Sequence, residues 1–253
     1  MTQLVLSLFP GIGLLDMAFE EEGFTVVRGP DLLWGGDVKR FHVPPGRFDG
    51  VIGGSPCQAF TRLAALIAFN GYELAEDLVP EFERIIEEAQ PSWFLHENVR
   101  AAPIPTIAGY FVDPATVNAR WLGEEQSREH RMSFGTRRYS IIGRRLDISP
   151  DCVALDNPAW SPRVLASGGT SGCCGPRKHR KKRTDLHNRH RNKAYFETAK
   201  RLQGLPSDFD LPAFTIKAKI RALGNAVPLP LGRAVAKAVK RAIGLTAESE
   251  AAK

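Results

Sequence analysis

The first hundred residues alternate short apolar runs with segments of helical periodicity, and this alternation limits the fold more than any other feature of the sequence. The runs that predict β-strands are QLVLSLF (3–9), FTVVRG (24–29), DGVIGG (49–54) and WFLHEN (93–98). Helical spacing marks LLDMAFEEEG (14–23) and LAEDLVPEFERIIEEA (74–89), where Pro80 either kinks the helix or begins it. Strands that alternate with helices predict a doubly wound α/β sheet.

Beyond residue 100 the pattern is weaker. DPATVNARWLG (113–123) predicts a capped helix, with Asp113 as its cap and Pro114 in its first turn. RMSFG (131–135) and RYSIIG (138–143) predict adjacent strands, in the manner of a hairpin.

The chain divides into three predicted parts. Residues 150–193 are rich in Gly, Pro and Arg and have little periodicity, whereas helical patterns return in AYFETAKRLQGL (194–205) and PLGRAVAKAVKRAIG (230–244). We therefore predict a main domain at 1–149, a small inserted basic module at 150–193, and a segment at 194–253 that returns to the main domain.

The positive charge of the chain is concentrated in one segment. RKHRKKRTDLHNRHRNK (177–193) contains nine Lys or Arg and one Asp, so its balance of +8 exceeds the +6 of the whole chain. A solvated tail or a nuclear localisation signal would also be basic. Because folded-looking sequence flanks the run on both sides, we favour a patch that binds nucleic-acid phosphates by releasing counterions.

Four cysteines in 253 residues are too few for the framework of a disulfide-rich secreted protein. The sequence also lacks a leader pattern and any apolar run long enough to span a membrane. We therefore expect a soluble protein of a reducing compartment, with no membrane partner.

Cys57 lies in GGSPCQAF (53–60), on the loop that follows the predicted strand DGVIGG. Proline does not continue a central strand, and ligands collect at the carboxyl ends of parallel strands. A buried free cysteine is the common alternative. The position of Cys57 beyond a strand end favours a thiol that faces a ligand.

Six motifs resemble, in family order, those of the DNA cytosine-5 methyltransferases. They are SLFPGIGLLDMAFE (DLFxGxGG), GGSPCQAFT (GGPPCQxFS), HENV (ENV), EEQSREHRMSFG (QxRxRxxxxG), AKRLQGLPSDF (RLQGFPDDF) and LGNAVPLPLGRAVAKAV (GNAVPxxxxxAI). The resemblance covers nearly the whole chain outside 150–193. It implies a Rossmann-like, S-adenosylmethionine-dependent methyltransferase sheet, with 150–193 as its target-recognition region.

The resemblance also implies a mechanism that acts on double-stranded DNA. Cys57 matches the nucleophile that adds to carbon 6 of a flipped cytosine, so that carbon 5 can take the methyl group. Glu97 matches the carboxylate that contacts ring nitrogen 3. Asn98 would orient the surrounding loop, and Arg128 would lower the thiol pKa.

The cofactor S-adenosylmethionine would contact a set of residues that match the family's pocket. They are Phe9, Gly11, Gly13, Asp31, Asp37, Pro56, Leu78, Asn225 and Val227. Asp31 falls on the ribose-binding acid, and Asp37 on the acid that binds the adenine amino group. Only six positions separate these two aspartates, which leaves too little chain for the helix that the fold normally has there.

The sequence departs from the family motifs at several positions. Ser7 replaces the first Asp, Leu14 a Gly, and Ser55 the first Pro of PPCQ. His130 stands where the family has its second arginine, and Arg131 follows it. The sequence leaves open which of these two side chains takes that role.

DNA contacts are predicted for a basic set together with one glutamine. These residues are Gln58, Arg177, Lys178, Arg180, Lys181, Lys182, Arg183, Arg189, Arg191 and Arg201. A zinc site would draw on Cys152, Cys173, Cys174, His179, His187 and His190. These residues lack standard ligand spacing, so we predict no metal and favour free thiols and histidines that face DNA.

Two other functions stay open at this point: a tRNA cytosine-5 methyltransferase, and a non-catalytic DNA-binding regulator derived from the enzyme. For the favoured enzyme we expect a cytoplasmic, nucleoid-associated monomer of prokaryotic or phage origin. A restriction endonuclease is its candidate partner.

Overall fold

The computed structural model describes residues 2–61, 64, 69–71, 73–137, 145–153, 163–164, 170–171 and 193–245. The strands are β1 (Leu4–Leu8), β2 (Thr25–Arg28), β3 (Gly50–Gly53), β4 (Trp93–Asn98), β5 (Tyr110–Asn118), β6 (Glu129–Arg137), β7 (Arg163–Val164) and β8 (Thr170–Ser171). The α-helices are α1 (Leu14–Glu21), α2 (Val79–Ala89), α3 (Lys193–Leu202), α4 (Ile216–Asn225) and α5 (Leu229–Ala242).

Six of these strands form one mixed sheet in the order β2-β1-β3-β4-β6-β5. The first four are parallel, and β6 runs antiparallel to both of its neighbours. The chain order reverses between β1 and β3, since β2 lies on one side of β1 and β3 on the other. In open α/β sheets ligands bind outside the carboxyl ends of the strands at such a switch point.

Apolar side chains cover both faces of the sheet. Successive strand residues point to opposite faces, and the neighbours Trp93 and Phe94 accordingly belong to different core clusters. The Trp93 cluster includes residues of α1 and α5, whereas the Phe94 cluster includes residues of α2. The resulting three layers confirm the predicted doubly wound α/β class.

Helix α2 begins with Pro80 in its first turn, so this proline marks the start of the helix and does not kink it. Helices α3 and α4 pack together with α1 in a third cluster that includes Phe196, Ile220 and Leu14. Helix α4 was not predicted, although Thr215 caps it through a hydrogen bond that Oγ1 accepts from the Ala218 N–H (3.3 Å).

The predicted helix at DPATVNARWLG (113–123) is wrong. Residues 113–118 belong to β5, and a 3₁₀ turn follows at Ala119–Leu122. Asp113 caps no helix; its Oδ2 accepts the Leu146 N–H at 3.2 Å. Pro114 fits because β5 is an edge strand, where a missing N–H breaks no second ladder.

RMSFG lies within β6 as predicted, and its neighbours in the sheet are β4 and β5. RYSIIG lies outside the described residues, as does most of the basic module at 150–193. Within the described ranges, the helices are too short or too polar to cross a membrane.

Candidate active site

Several of the predicted site residues lie along the carboxyl edge of the parallel strands. This edge carries the glycine turn after β1, Asp31 after β2, the cysteine loop after β3, and Glu97 near the end of β4. Because β6 is antiparallel, it begins at the same edge and brings His130 there. The edge therefore combines side chains from five consecutive strands of the sheet.

The cysteine loop is held by its own backbone restrictions. Pro56 (φ −52°) precedes a 3₁₀ turn at Cys57–Phe60 and leaves the Cys57 side chain half-buried. A Cβ on Gly54 would lie 2.6 Å from Glu97 Oε2, so only glycine lets the loop approach this carboxylate without displacing it. The loop and the end of β4 thus lie in direct contact.

Burial raises the pKa of the Cys57 thiol, and the charge of Glu97 raises it further. Arg128 acts in the opposite direction, as the sequence predicted, but the net shift is upward. Cys57 in the free protein is therefore a neutral thiol at neutral pH.

Asn98 ties the end of β4 to the cysteine loop. Its Nδ2 donates to the carbonyl of Ser55 (3.1 Å) and to Ser55 Oγ (3.0 Å), and its Oδ1 accepts the Val99 N–H at 2.8 Å. Ser55 Oγ also lies 2.9 Å from His96 Nε2, and all three side chains are buried. Burial lowers the pKa of His96 to about 4, so this ring is neutral.

Glu97 is paired with His130 at the opposite side of the site. Glu97 Oε1 lies 2.5 Å from His130 Nδ1, and Arg128 Nε donates to His130 Nε2 at 2.9 Å. Burial alone would raise the pKa of the Glu97 carboxyl. The hydrogen bond with His130 and the charge of Arg128 outweigh that effect and hold this pKa below its ordinary value.

Strand register explains why His130, and not Arg131, reaches Glu97. Glu97 pairs with Met132 in the β4–β6 ladder, and His130 lies two residues away on the same face. Arg131 points to the opposite face, where its NH1 and NH2 donate to the carbonyls of Arg100 (3.1 Å) and Pro103 (2.6 Å). Of these two side chains, His130 is therefore the one that lies beside Glu97.

The glycine turn after β1 is fastened to Asp31. Phe9, Gly11 and Gly13 all have positive φ (54°, 56° and 80°). Asp31 Oδ2 accepts the Gly11 N–H at 2.8 Å, and its Oδ1 accepts the Leu33 N–H at 2.7 Å. Each oxygen retains acceptor capacity, and the space where a Gly11 side chain would extend is open, so the turn fits a ligand that presents hydroxyl groups.

The remaining predicted cofactor residues occupy varied environments. Asp37 caps the 3₁₀ turn Val38–Arg40 by accepting the Lys39 N–H at 3.0 Å, and a separate 3₁₀ turn, Leu32–Trp34, lies between Asp31 and Asp37. Leu78 packs at the edge of the core below α2. Val227 is buried in the core beside α5, whereas Asn225 is exposed at the end of α4.

Sequence reasoning missed two groups of residues at this edge. Trp34 Nε1 donates to the Gly11 carbonyl at 2.6 Å, although the ring is 58% exposed. Gln126 is fully buried, donates to the Leu202 carbonyl at 2.5 Å and to Gln203 Oε1 at 3.3 Å, and thereby joins two of the motifs. Gln126 and Gln203 lie in the motifs EEQSREHRMSFG and AKRLQGLPSDF, so the sequence could have indicated them. No sequence pattern indicated Trp34.

Of the predicted DNA contacts, two lie in the described part of the chain. Gln58 is exposed beside Cys57, and Arg201 forms an exposed ion pair with Glu125. The others lie outside it, as do five of the six zinc candidates; Cys152 is exposed. Among the described residues, His, Cys, Asp and Glu form no group of three that could hold a metal.

The sheet and its carboxyl edge are those of a Rossmann-like, S-adenosylmethionine-dependent methyltransferase. The S. pombe Dnmt2 methyltransferase has the same fold, with a TM-score of 0.60 and 14% identity over 96% of this chain and 100% of that chain. The family model for C-5 cytosine-specific DNA methylases matches residues 36–103 and 159–241, more than half of the sequence. The chain belongs to this family, which confirms the resemblance, and membership implies S-adenosylmethionine as the methyl donor.

Two curated relatives are Type II methyltransferases. M.NgoPII of Neisseria gonorrhoeae is 27% identical over an alignment of 165 residues, and the match covers 53% of this chain and 48% of that protein. M.FnuDI of Fusobacterium nucleatum is 30% identical over an alignment of 165 residues, and the match covers 53% of this chain and 47% of that protein. The chain thus spans about half the length of the curated relatives it matches.

Proposed function

We propose that this chain transfers a methyl group from S-adenosylmethionine to carbon 5 of cytosine in double-stranded DNA, through a covalent adduct with Cys57. The observation that carries the proposal is that a thiol and a mostly buried carboxylate, at the ends of adjacent strands, lie on segments in contact. Glu97 lies against the cysteine loop at Gly54, and its charge acts on the Cys57 thiol. Asn98 fastens the two segments together.

The chemistry assigns complementary tasks to Cys57 and Glu97. Addition of the Cys57 thiolate to carbon 6 forms a carbon–sulfur bond and leaves an enamine, whose carbon 5 is nucleophilic. The Glu97 carboxylate would face ring nitrogen 3 and the exocyclic amine and favour a protonated nitrogen 3 during the attack. After methylation, loss of the carbon-5 proton to a base breaks the carbon–sulfur bond and frees Cys57.

The electrostatics of the site couple thiol activation to the substrate. In the free protein the negative charge of Glu97 helps to hold the Cys57 pKa above its ordinary value. A cytosine edge that offers hydrogen-bond donors to Glu97 would offset that charge. The thiol then loses its proton more readily with the base in place than without it, which limits reaction with other electrophiles.

S-adenosylmethionine, when bound, supplies an electrophilic methyl group. The glycine turn and Asp31 would hold its methionine and ribose portions. Asp37 and Leu78 would contact the adenine side, and Asn225 and Val227 would complete the pocket. Pro56 would contact the cofactor from the cysteine loop.

The target cytosine must leave the duplex stack to reach Cys57, because neither Cys57 nor Glu97 can contact a paired base inside the helix. The basic run at 177–193 would hold the phosphates of the surrounding DNA. Gln58, exposed next to Cys57, would lie toward the opened duplex. Because the relatives M.NgoPII and M.FnuDI are named Type II methyltransferases, a restriction endonuclease is the candidate partner.

The test is transfer of tritium from labelled S-adenosylmethionine to double-stranded DNA and, separately, to tRNA. Incorporation into DNA, with 5-methylcytosine found by bisulfite sequencing, is the expected result. The Cys57→Ser variant should lose transfer while it still binds DNA and cofactor, because only the covalent step is removed. Cys152→Ser, a change of an exposed cysteine elsewhere, is the matched control.

Each alternative predicts a different outcome of this test. Incorporation into tRNA alone would assign the chain to RNA modification. Absence of transfer to either nucleic acid, with no cofactor bound in a titration, would indicate a non-catalytic DNA-binding protein. Substantial turnover by Cys57→Ser would refute the covalent role of Cys57.

A further inference from the structure

A continuous hydrogen-bonded chain links Arg128, His130 and Glu97. Arg128 Nε lies 2.9 Å from His130 Nε2, and His130 Nδ1 lies 2.5 Å from Glu97 Oε1. His130 is buried and the Glu97 side chain is 13% exposed. Both ring nitrogens of His130 are therefore engaged by charged groups of opposite sign.

The chemistry of the donors determines where the imidazole proton lies. A guanidinium group has N–H donors and no acceptor. His130 Nε2 must therefore accept from Arg128, and the single ring proton lies on Nδ1, which donates to the Glu97 carboxylate. A second ring proton would place two N–H groups opposite each other and break the bond to Arg128.

Arg128 is itself held in place. Its NH2 donates to the carbonyl of Gly224 at 2.9 Å, and its NH1 donates to the carbonyl of Val164 at 3.2 Å. These carbonyls belong to α4 and β7, so the guanidinium is fixed by two elements outside the main sheet. The orientation of the imidazole is thereby connected to the C-terminal segment.

We propose that His130 is a positioning residue: a neutral imidazole, protonated on Nδ1, that bridges Arg128 to Glu97 and holds one carboxylate oxygen. Glu97 Oε1 is then occupied, while Oε2 is directed at Gly54 and the cysteine loop. An arginine at this position would bring a second permanent cation next to Arg128. The neutral imidazole connects Arg128 to Glu97 through two hydrogen bonds and adds no second positive charge to the site.

The bridge follows from the hydrogen-bond geometry alone, whereas its effect on methyl transfer rests on the proposed function. The two parts are therefore tested separately. The tautomer is measured on the free protein, and the positioning effect is measured as a rate.

The tautomer can be read by ¹⁵N NMR of the full chain labelled at its histidines, in the absence of DNA. The His130→Gln spectrum identifies the His130 signals by their loss. We expect a neutral ring with its proton on Nδ1 near neutral pH, and a changed tautomer distribution in Arg128→Met, which removes the donor to Nε2. A proton on Nε2, or a doubly protonated ring at neutral pH, would overturn the proposal.

The positioning effect is tested by single-turnover methyl transfer. Glutamine can accept from Arg128 and donate to Glu97, so His130→Gln should retain the rate within about fivefold. His130→Leu can do neither, and loss of alignment on the ångström scale should lower the rate about 10²-fold. Thermal unfolding of both variants separates this effect from a failure to fold.

The outcomes distinguish the two proposals. An Nδ1-protonated His130 in a protein that methylates no nucleic acid would refute the proposed function and leave the bridge intact. A methylating protein in which the folded His130→Leu variant is as fast as the native chain would refute the positioning role. A His130→Gln variant as slow as a folded His130→Leu would also refute it, because the bridging bonds would then not be what matters.

Discussion

Gly53 and Gly54 are adjacent, yet the structure predicts opposite consequences when each is replaced by alanine. A Cβ on Gly54 would meet Glu97 Oε2 at 2.6 Å, with the next Glu97 atoms at 3.5 and 3.7 Å. A Cβ on Gly53 would meet the Leu8 carbonyl oxygen at 2.7 Å, Leu8 Cβ at 3.1 Å and Phe82 Cε2 at 3.2 Å. The first clash involves the end of one flexible side chain, and the second involves the backbone of a central strand.

For Gly54→Ala the main expected change is in rate. Glu97 Oε2 must retreat from 2.6 Å to ordinary contact at 3.4 Å, a shift of about 0.8 Å. A misplacement of about 1 Å in a reacting group lowers a rate by about 10²-fold, so a loss of this order is expected in single turnover. The weakened hydrogen bond between Glu97 and His130 should cost about 0.5–1.5 kcal/mol. Alanine in place of glycine reduces the entropy of the unfolded chain, which stabilises the folded state by about 0.4–1 kcal/mol. The free energy of unfolding should therefore change by less than about 1 kcal/mol.

For Gly53→Ala the main expected change is in stability. The atoms in the way belong to the packed sheet and cannot move independently, so overpacking should cost about 1–3 kcal/mol. In a chain of this size each kcal/mol lowers Tm by about 2–4 °C. Denaturant unfolding and single-turnover rates on the same preparations separate the two variants. A Gly54→Ala variant that is as fast as the native protein, or that is destabilised as much as Gly53→Ala, would refute the placement of Glu97 over Gly54.

Two further predictions concern the thiol and the basic run. Burial and Glu97 raise the pKa of Cys57, whereas Arg128 lowers it, so alkylation of Cys57 by iodoacetamide should reach its plateau at higher pH than alkylation of a free model thiol. The pH midpoint of this alkylation should be lower in Glu97→Gln and higher in Arg128→Met. Unchanged midpoints would contradict the stated causes. Neutralising the four cations at 180–183 should weaken DNA binding. The slope of the logarithm of the binding constant against the logarithm of the salt concentration should become less steep, by an amount that corresponds to up to about four phosphate contacts. An unchanged slope would show that this run does not touch phosphates.

The parallel half of the sheet could be predicted from local patterns. The strands β1, β3 and β4 are apolar runs closed by turn residues, and each was placed to within two residues. The structure of the segment at 113–123 could not be predicted in this way, because its Asp-Pro start is a local helix signal. Strand β5 forms instead by pairing along its whole length with β6. Pairing with a strand that follows in the sequence is not visible in a local window.

The candidate site was predictable to a similar degree. The motifs placed Cys57 and Glu97 at the ends of two predicted strands, and the structure makes these strands neighbours, with Glu97 against the cysteine loop at Gly54. That His130 and not Arg131 reaches Glu97 depends on the register of β6 against β4, since a shift of one residue reverses the face of a strand. The upward shift of the Cys57 pKa likewise depends on burial, which the loop sequence did not indicate.

Three of the four departures from the family motifs, Ser7, Ser55 and His130, share a physical feature that the sequence alone did not show; the fourth, Leu14, is a buried core residue. Ser7 stands in place of an aspartate, and its Oγ donates to the buried Asp16 at 2.5 Å, where Arg28 supplies the countercharge. Ser55 stands in place of a proline, and it joins the buried amide of Asn98 to the cysteine loop. His130 follows the same pattern at Glu97. Each of these three side chains is a polar group that is hydrogen-bonded to a partner from another element, and a buried polar group left without a partner would cost about 1–3 kcal/mol. The substitutions therefore rearrange the polar contacts around the edge of the sheet and leave Glu97 against the cysteine loop at Gly54.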